Sequence, residues 1–318
     1  MASSSESESV DKKNKVPALI RSLRPKQWTK NLIIFAPALF AQKIHEPKLL
    51  LEAFLCFIAF CLASSAVYIF NDIVDAPSDR NHPTKSKRPI ASGAISPQLA
   101  TTVAIVACSI GLGLSFVVRP AVCVIVCIYL LLQAAYVRVL KNVSLIDIGC
   151  IASGFVLRAV AGAAAVSVPA SAWFLLCTAL VSLFIALEKR RQELRTLEGN
   201  AVLCRKVLKD YSMELVTRLE SLILSGLFLS YVLYTILSWH GQWMMLTIPF
   251  ILYGMARYIQ LSIDSNIAAS PEEVLLKDRP IQMTFLSWII ISALIVYDVI
   301  PHFVTSTYQY IESFHPLP

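Results

Sequence analysis

Nine apolar runs, with most of the Lys and Arg falling between them, dominate this 318-residue chain. They fall at roughly 28–45, 49–70, 98–118, 120–139, 144–165, 171–187, 214–237, 243–263 and 283–304. A membrane span takes about 20 mostly apolar residues. Inside hydrocarbon every backbone N–H and C=O must find its partner within the segment, so such runs are helices. Composition agrees. The chain is 56% hydrophobic and 15% charged, against about 25% charged for an ordinary soluble domain, and its mean hydropathy is +0.64. The expected fold class is all-α: a polytopic membrane protein with about nine transmembrane helices. Pro37 and Gln42 make the first run the least regular of the nine.

Charge placement supplies a topology. With the N-terminus inside, the inner segments are the N-terminal tail, 71–97, 138–143, 188–213 and 264–282. They hold 22 of the 28 Lys and Arg; the outer segments hold only Lys43, Lys48 and Arg119. That asymmetry follows the positive-inside rule and puts the N-terminus and the long loops in the cytosol. The expected location is the cell (inner or plasma) membrane. Residues 1–18 read as a disordered Ser- and Glu-rich tail, not a signal peptide, 19–306 as the transmembrane domain and 307–318 as a short tail. Seven of the eight cysteines lie in apolar runs and no CxxC occurs, so they read as small hydrophobes, without a zinc or disulfide framework.

The chemistry gathers in the charged loops. Asn71–Gly93 reads NDIVDAPSDRNHPTKSKRPIASG. Asp72, Asp75 and Asp79 stand at i, i+3 and i+7, within about a 60° arc if the helix continues. Pro77 is expected to bend or end it. Three ordered acids at a membrane surface repel one another unless a cation joins them. Hard oxygen donors with room for water and phosphate suit Mg²⁺, with Mn²⁺ a possible substitute. The plain alternative is a solvated acidic loop. Four bases follow, of which Lys85 and Arg88 frame Pro89 and suit phosphate contacts, while Lys87 fits the positive-inside rule equally well.

Three further clusters stand out. Arg24, Lys26 and Lys30 cluster at the start of the first run, with Trp28 as an interfacial anchor. Tyr136 and Lys141 close the fourth run and Asp147 opens the fifth. Arg158 lies eleven residues on, about 16 Å along the same helical face. An arginine so deep in a span marks a functional site, a buried ion pair being the other explanation. Glu188, Lys189, Arg190 and Glu193 alternate in sign in ALEKRRQEL at the end of the sixth run. The segment 264–282, with Asp264, Glu272, Glu273, Lys277, Asp278 and Arg279, suits either a lid or a solvated connector.

An NDxxDxxxD motif after the second of nine helices resembles the UbiA-type intramembrane prenyltransferases. The strings RPKQWTKN, NDIVDAPSDRNHPTKSKRPIASG, YVRVLK, LRAVAGA, WFLL, EKRRQEL and SPEEVLLKDRPIQ, in order over about residues 20 to 300, are similar to one branch of that superfamily, the decaprenyl-phosphate phosphoribosyltransferases. The resemblance implies a UbiA-like bundle with cytosolic active-site loops. It implies transfer of 5-phosphoribose from phosphoribosyl pyrophosphate to a polyprenyl phosphate, releasing pyrophosphate and making a lipid-linked pentose precursor of cell-envelope glycan.

On that basis Asp72, Asp75 and Asp79 are the expected catalytic and Mg²⁺-binding residues, with Asn71 beside them. Lys30, Tyr136, Lys141 and Arg158 are expected at the acceptor phosphate. Lys85, Arg88, Lys189 and Arg190 are expected at the donor's phosphates. EKRRQEL departs from the superfamily's second Asp-rich motif, which favours an anion site there over a second metal site. Two other functions stay open: an aromatic prenyltransferase using a prenyl diphosphate, and a transporter or lipid carrier. Clustering of charge at one face, with no matching halves, speaks against the transporter. Nucleic acid is not an expected partner, and a homo-oligomer is left open.

Overall fold

A computed structural model describes residues 17–80, 85–196, 206–238, 241–263 and 277–314. Among them the structure is helical throughout, without strands. The principal helices are α1 (Pro47–Asp79), α2 (Pro97–Val118), α3 (Pro120–Arg138), α4 (Ile146–Ala165), α5 (Ala172–Thr196), α6 (Met213–Leu237), α7 (Ile248–Ile263), α8 (Arg279–Val296) and α9 (Val299–Phe314). By length and composition, eight stretches of the described residues can cross a membrane: α1 to α6, Gly241–Ile263 ending in α7, and α8.

The first expected run takes a different form. Pro25–Phe35 is a 3₁₀ helix, entered through a left-handed Arg24 (φ 52°), and a short α-helix follows over Ala36–Phe40. The last run breaks at Asp298 (φ 57°), which separates α8 from α9. Pro77 does not stop α1. It lies two residues from the end, and the helix carries on to Asp79. At 33 residues α1 is about 50 Å long, well beyond a hydrocarbon core of about 30 Å. Its final turns therefore carry the aspartates out of the apolar layer on a continuous helix.

The described residues form two compact units. The first contains α1 to α4 and the 3₁₀ segment up to Ala38; the second contains Leu39–Gln42 and α5 to α9. In the first, Ile34, Phe60, Val122, Val126, Tyr129 and Ala161 make a common core. A second core, of Ala18, Ile69, Ala76, Ile90, Ile95 and Ala100, packs residues 17–23 and the turn after Pro89 around the acidic end of α1. In the second unit Phe184, Leu224, Tyr258, Leu261 and Ile281 tie α5, α6, α7 and α8 together. Phe116, Val117, Leu131 and Leu222 stay mostly exposed, as expected of side chains that face lipid.

Candidate active site

The acidic end of α1 meets three cations, each delivered by a different segment. Arg24 comes from the left-handed turn before Pro25, and its Nη2 lies 2.5 Å from Asp72 Oδ1. Its guanidinium also sits over the ring of Tyr68, 5.2 Å from the centroid. Arg88 comes from the turn after α1. Its Nη1 lies 3.1 Å from Asp72 Oδ1 and 2.7 Å from Asp79 Oδ2, so one nitrogen bridges two carboxylates. Lys141 comes from the 3₁₀ turn Leu140–Asn142 between α3 and α4, and its Nζ lies 2.7 Å from Asp75 Oδ1. The Asn71 amide donates to Asp75 Oδ2 at 3.0 Å.

Local backbone fixes these cations in place. Arg88 N–H donates to Lys85 O, Ser92 N–H to Arg88 O and Ile95 N–H to Pro89 O. Gly93 closes the turn at φ 80°, a conformation that L side chains rarely adopt. Arg24 is held by a relay: Trp28 Nε1 donates to Ser65 Oγ at 3.1 Å, and Ser65 Oγ donates to Leu23 O at 2.8 Å. Trp28 thus turns its polar edge toward α1.

The aspartates are not grouped as one trio. Asp72 and Asp79 are buried and converge on Arg88, while the half-buried Asp75 faces Lys141. Among the described residues no three His, Cys, Asp or Glu side chains are grouped to hold one ion. The donor set still fits a divalent cation. Mg²⁺ is typically bound through one or two carboxylates, with phosphate oxygens and water completing the octahedron. Asp72 and Asp79 supply such a pair.

Arg158 takes a place the sequence does not indicate. Its side chain is buried in α4. Nε donates to Asn31 Oδ1 at 2.6 Å, Nη2 to Tyr129 Oη at 3.0 Å and Nη1 to Gly154 O at 2.8 Å. The rings of Tyr129, Phe155 and Phe60 stand 4.8, 5.5 and 5.9 Å from its Cζ. These partners are neutral, so a hydrogen-bonded cage stands where the alternative reading had a buried ion pair. Asp147 is buried at the start of the same helix. Lys30 is half-buried on the 3₁₀ segment of the same unit. Lys85 and Tyr136 are half-buried in the same unit.

In the second unit EKRRQEL forms the last turns of α5. Lys189 is exposed, whereas Arg190 is fully buried and its Nη1 donates to Glu193. Arg191 pairs with Glu220 of α6, and its Nε lies 3.4 Å from Glu188 Oε1. Ser262 Oγ of α7 donates to Glu188 Oε2 at 2.6 Å. Carboxylates thus match Arg190 and Arg191 within the unit, and Glu220 is the partner that sequence reasoning did not name. Further on, Arg257 Nη2 lies 2.9 Å from Asp278 Oδ2, and Asp278 caps the Ile281 N–H at the start of α8. The hydrogen bond from Arg257 holds the Asp278 carboxyl below its ordinary value, against an opposing effect of burial. Asp264, Glu272 and Glu273 lie outside the described residues.

Arg24, Asn31 and Tyr129 also escaped the list of expected site residues. Arg24 stood in a noted basic cluster. Asn31 and Tyr129 carried the signal of polar atoms within or beside apolar runs.

The model of the UbiA prenyltransferase family matches residues 31–275. A decaprenyl-phosphate phosphoribosyltransferase of Mycolicibacterium smegmatis is 35% identical over 293 residues, covering 87% of this chain and 92% of the relative. One from Corynebacterium glutamicum is 34% identical over 295 residues, covering 90% and 88%. A UbiA homologue from Archaeoglobus fulgidus, solved with GPP and Mg²⁺, shares the fold with a TM-score of 0.66 over 89% of this chain and 98% of its own, at 17% identity. With the family model spanning most of its length, this chain belongs to the UbiA prenyltransferase family.

Proposed function

We propose that the protein is a divalent-cation-dependent phosphoribosyltransferase. It moves 5-phosphoribose from phosphoribosyl pyrophosphate to a polyprenyl phosphate, which is decaprenyl phosphate in the names of the two bacterial relatives. The observation that carries this is the pairing of three aspartates with Arg24, Arg88 and Lys141 at the end of α1. Carboxylates suit a cation, and guanidinium and ammonium groups suit phosphates. The charge asymmetry of the loops supports a cytosolic N-terminus and a site open to the cytosol, where a water-soluble donor meets a lipid acceptor.

An acceptor phosphate oxygen forms a bond to the anomeric carbon while the bond from that carbon to pyrophosphate breaks. Pyrophosphate leaves with the electron pair. The acceptor is already anionic at neutral pH, so no general base is needed, and positioning and electrostatics dominate. Asp72 and Asp79 would hold Mg²⁺, whose charge offsets the negative charge growing on the leaving group. Arg88 and Arg24 are placed to receive donor phosphates. Lys141, with Lys30 and Tyr136 as further candidates, is placed for the acceptor phosphate. Asn71 orients Asp75. Mass spectrometry of lipid extracts after incubation with phosphoribosyl pyrophosphate, polyprenyl phosphate and Mg²⁺ tests the proposal. A lipid heavier by one phosphoribosyl group is the expected product; no such lipid, or equal yield in excess EDTA, refutes it.

A further inference from the structure

We infer that Arg88 and Arg24 are exchangeable counter-ions, holding the two buried carboxylates against a bare divalent cation and yielding them to one that arrives with a pyrophosphate group. This rests on the function proposed above. Asp72 and Asp79 have side chains only 3% and 5% exposed. Two such carboxylates close together need compensation, and they have it from Arg88, which contacts both, and Arg24, which contacts Asp72. The set of two carboxylates and two guanidiniums is neutral. Adding a bare divalent cation displaces the guanidiniums from their acceptors and leaves two uncompensated charges in a poorly solvated place. A pyrophosphate group arriving with the cation brings the missing negative charge and offers the guanidiniums new acceptors.

The mobility required is present on one side only. The carboxylates belong to a continuous helix, whereas the two arginine side chains are 27% and 26% exposed and project from turns. They can swing toward an anion while their backbones stay hydrogen-bonded. Cation and pyrophosphate then bind with positive coupling, and the coupling is reciprocal. Asp75 and Lys141 form a second, half-buried pair, with side chains 28% and 21% accessible.

The test is Mn²⁺ binding by electron paramagnetic resonance on the purified full-length protein, with Mn²⁺ alone and with Mn²⁺ plus inorganic pyrophosphate. Wild type should bind Mn²⁺ weakly alone and at least roughly ten-fold more tightly as the pyrophosphate complex, within the usual range of coupling. Arg88→Gln should reverse the order of effects: tighter binding of Mn²⁺ alone, by roughly ten-fold, and weaker binding of the complex. Arg24→Gln should do the same to a smaller degree, because it touches one carboxylate, and it guards against misfolding of the first variant. Arg88→Lys should stay near wild type for the bare ion. If both Gln variants leave bare Mn²⁺ binding unchanged or weaker, the counter-ion role is wrong, though the metal site stands. If wild type takes up no Mn²⁺ even with pyrophosphate, both this inference and the metal-dependent function fall.

Discussion

Arg158 donates from Nε to Asn31 Oδ1 at 2.6 Å, joining a helix and a 3₁₀ segment 127 residues apart. Both residues are buried, so the loss of either partner should not be equivalent. Replacing Asn31 by Leu leaves a buried guanidinium short of an acceptor, which costs about 1–3 kcal/mol. Arg158→Met removes the charge itself and fills similar volume, so it should cost less. Thermal unfolding of the purified protein checks this. The expected order of midpoints is wild type highest, Arg158→Met next and Asn31→Leu lowest.

Gly162 makes that join possible. A Cβ there would stand 2.2 Å from Ile34 O, whereas one at Gly149, in the same helix, would meet nothing within 4 Å. Gly162→Ala should therefore push the 3₁₀ segment off α4 and destabilise by about 1–3 kcal/mol. Gly149→Ala should be neutral or stabilising by up to about 1 kcal/mol, from helix propensity alone. Paired unfolding curves of the two variants give the comparison.

Lys141 is the cation on Asp75. A charge-assisted contact to a phosphate is worth about 1.5–3 kcal/mol, so Lys141→Met should lower kcat/KM by about ten- to a hundred-fold. If Lys141 serves the acceptor, KM for polyprenyl phosphate rises while KM for phosphoribosyl pyrophosphate holds. Steady-state kinetics against each substrate separates the roles.

Asp278 links acid stability to the start of α8. Its folded carboxyl is more acidic than the ordinary value of 3.8, held there by Arg257. The associated stability is present above the ordinary carboxylate range and is lost as pH falls through the depressed value. Asp278→Asn keeps a capping side chain but loses the ion pair, so it should unfold more easily than wild type at neutral pH. The gap should close only below about pH 4. Unfolding midpoints measured across that range decide it.

Much of the acidic site was legible because its logic is local. Asp72, Asp75 and Asp79 stay on one continuous helix, and Arg88 lies nine residues from Asp79. What sequence could not show depends on contacts across long separations. Asn31 with Arg158, and Arg191 with Glu220 on another helix, are pairings that spacing does not encode. Arg190 read as a phosphate ligand because its burial and its partner Glu193 emerge only after folding. The form of the first run escaped too. Its apolarity signals a span, while the left-handed Arg24 and the close approach at Gly162 set a 3₁₀ segment against α4.

The most direct measurement offers the purified protein two labelled donors in parallel with Mg²⁺: phosphoribosyl pyrophosphate with a polyprenyl phosphate, and a prenyl diphosphate with an aromatic acid. The account predicts label in a polyprenylphosphoryl-phosphoribose with stoichiometric release of pyrophosphate, lost in Asp72→Asn, and no prenylated aromatic product. A prenylated aromatic acid, with phosphoribosyl pyrophosphate left untouched, would contradict it.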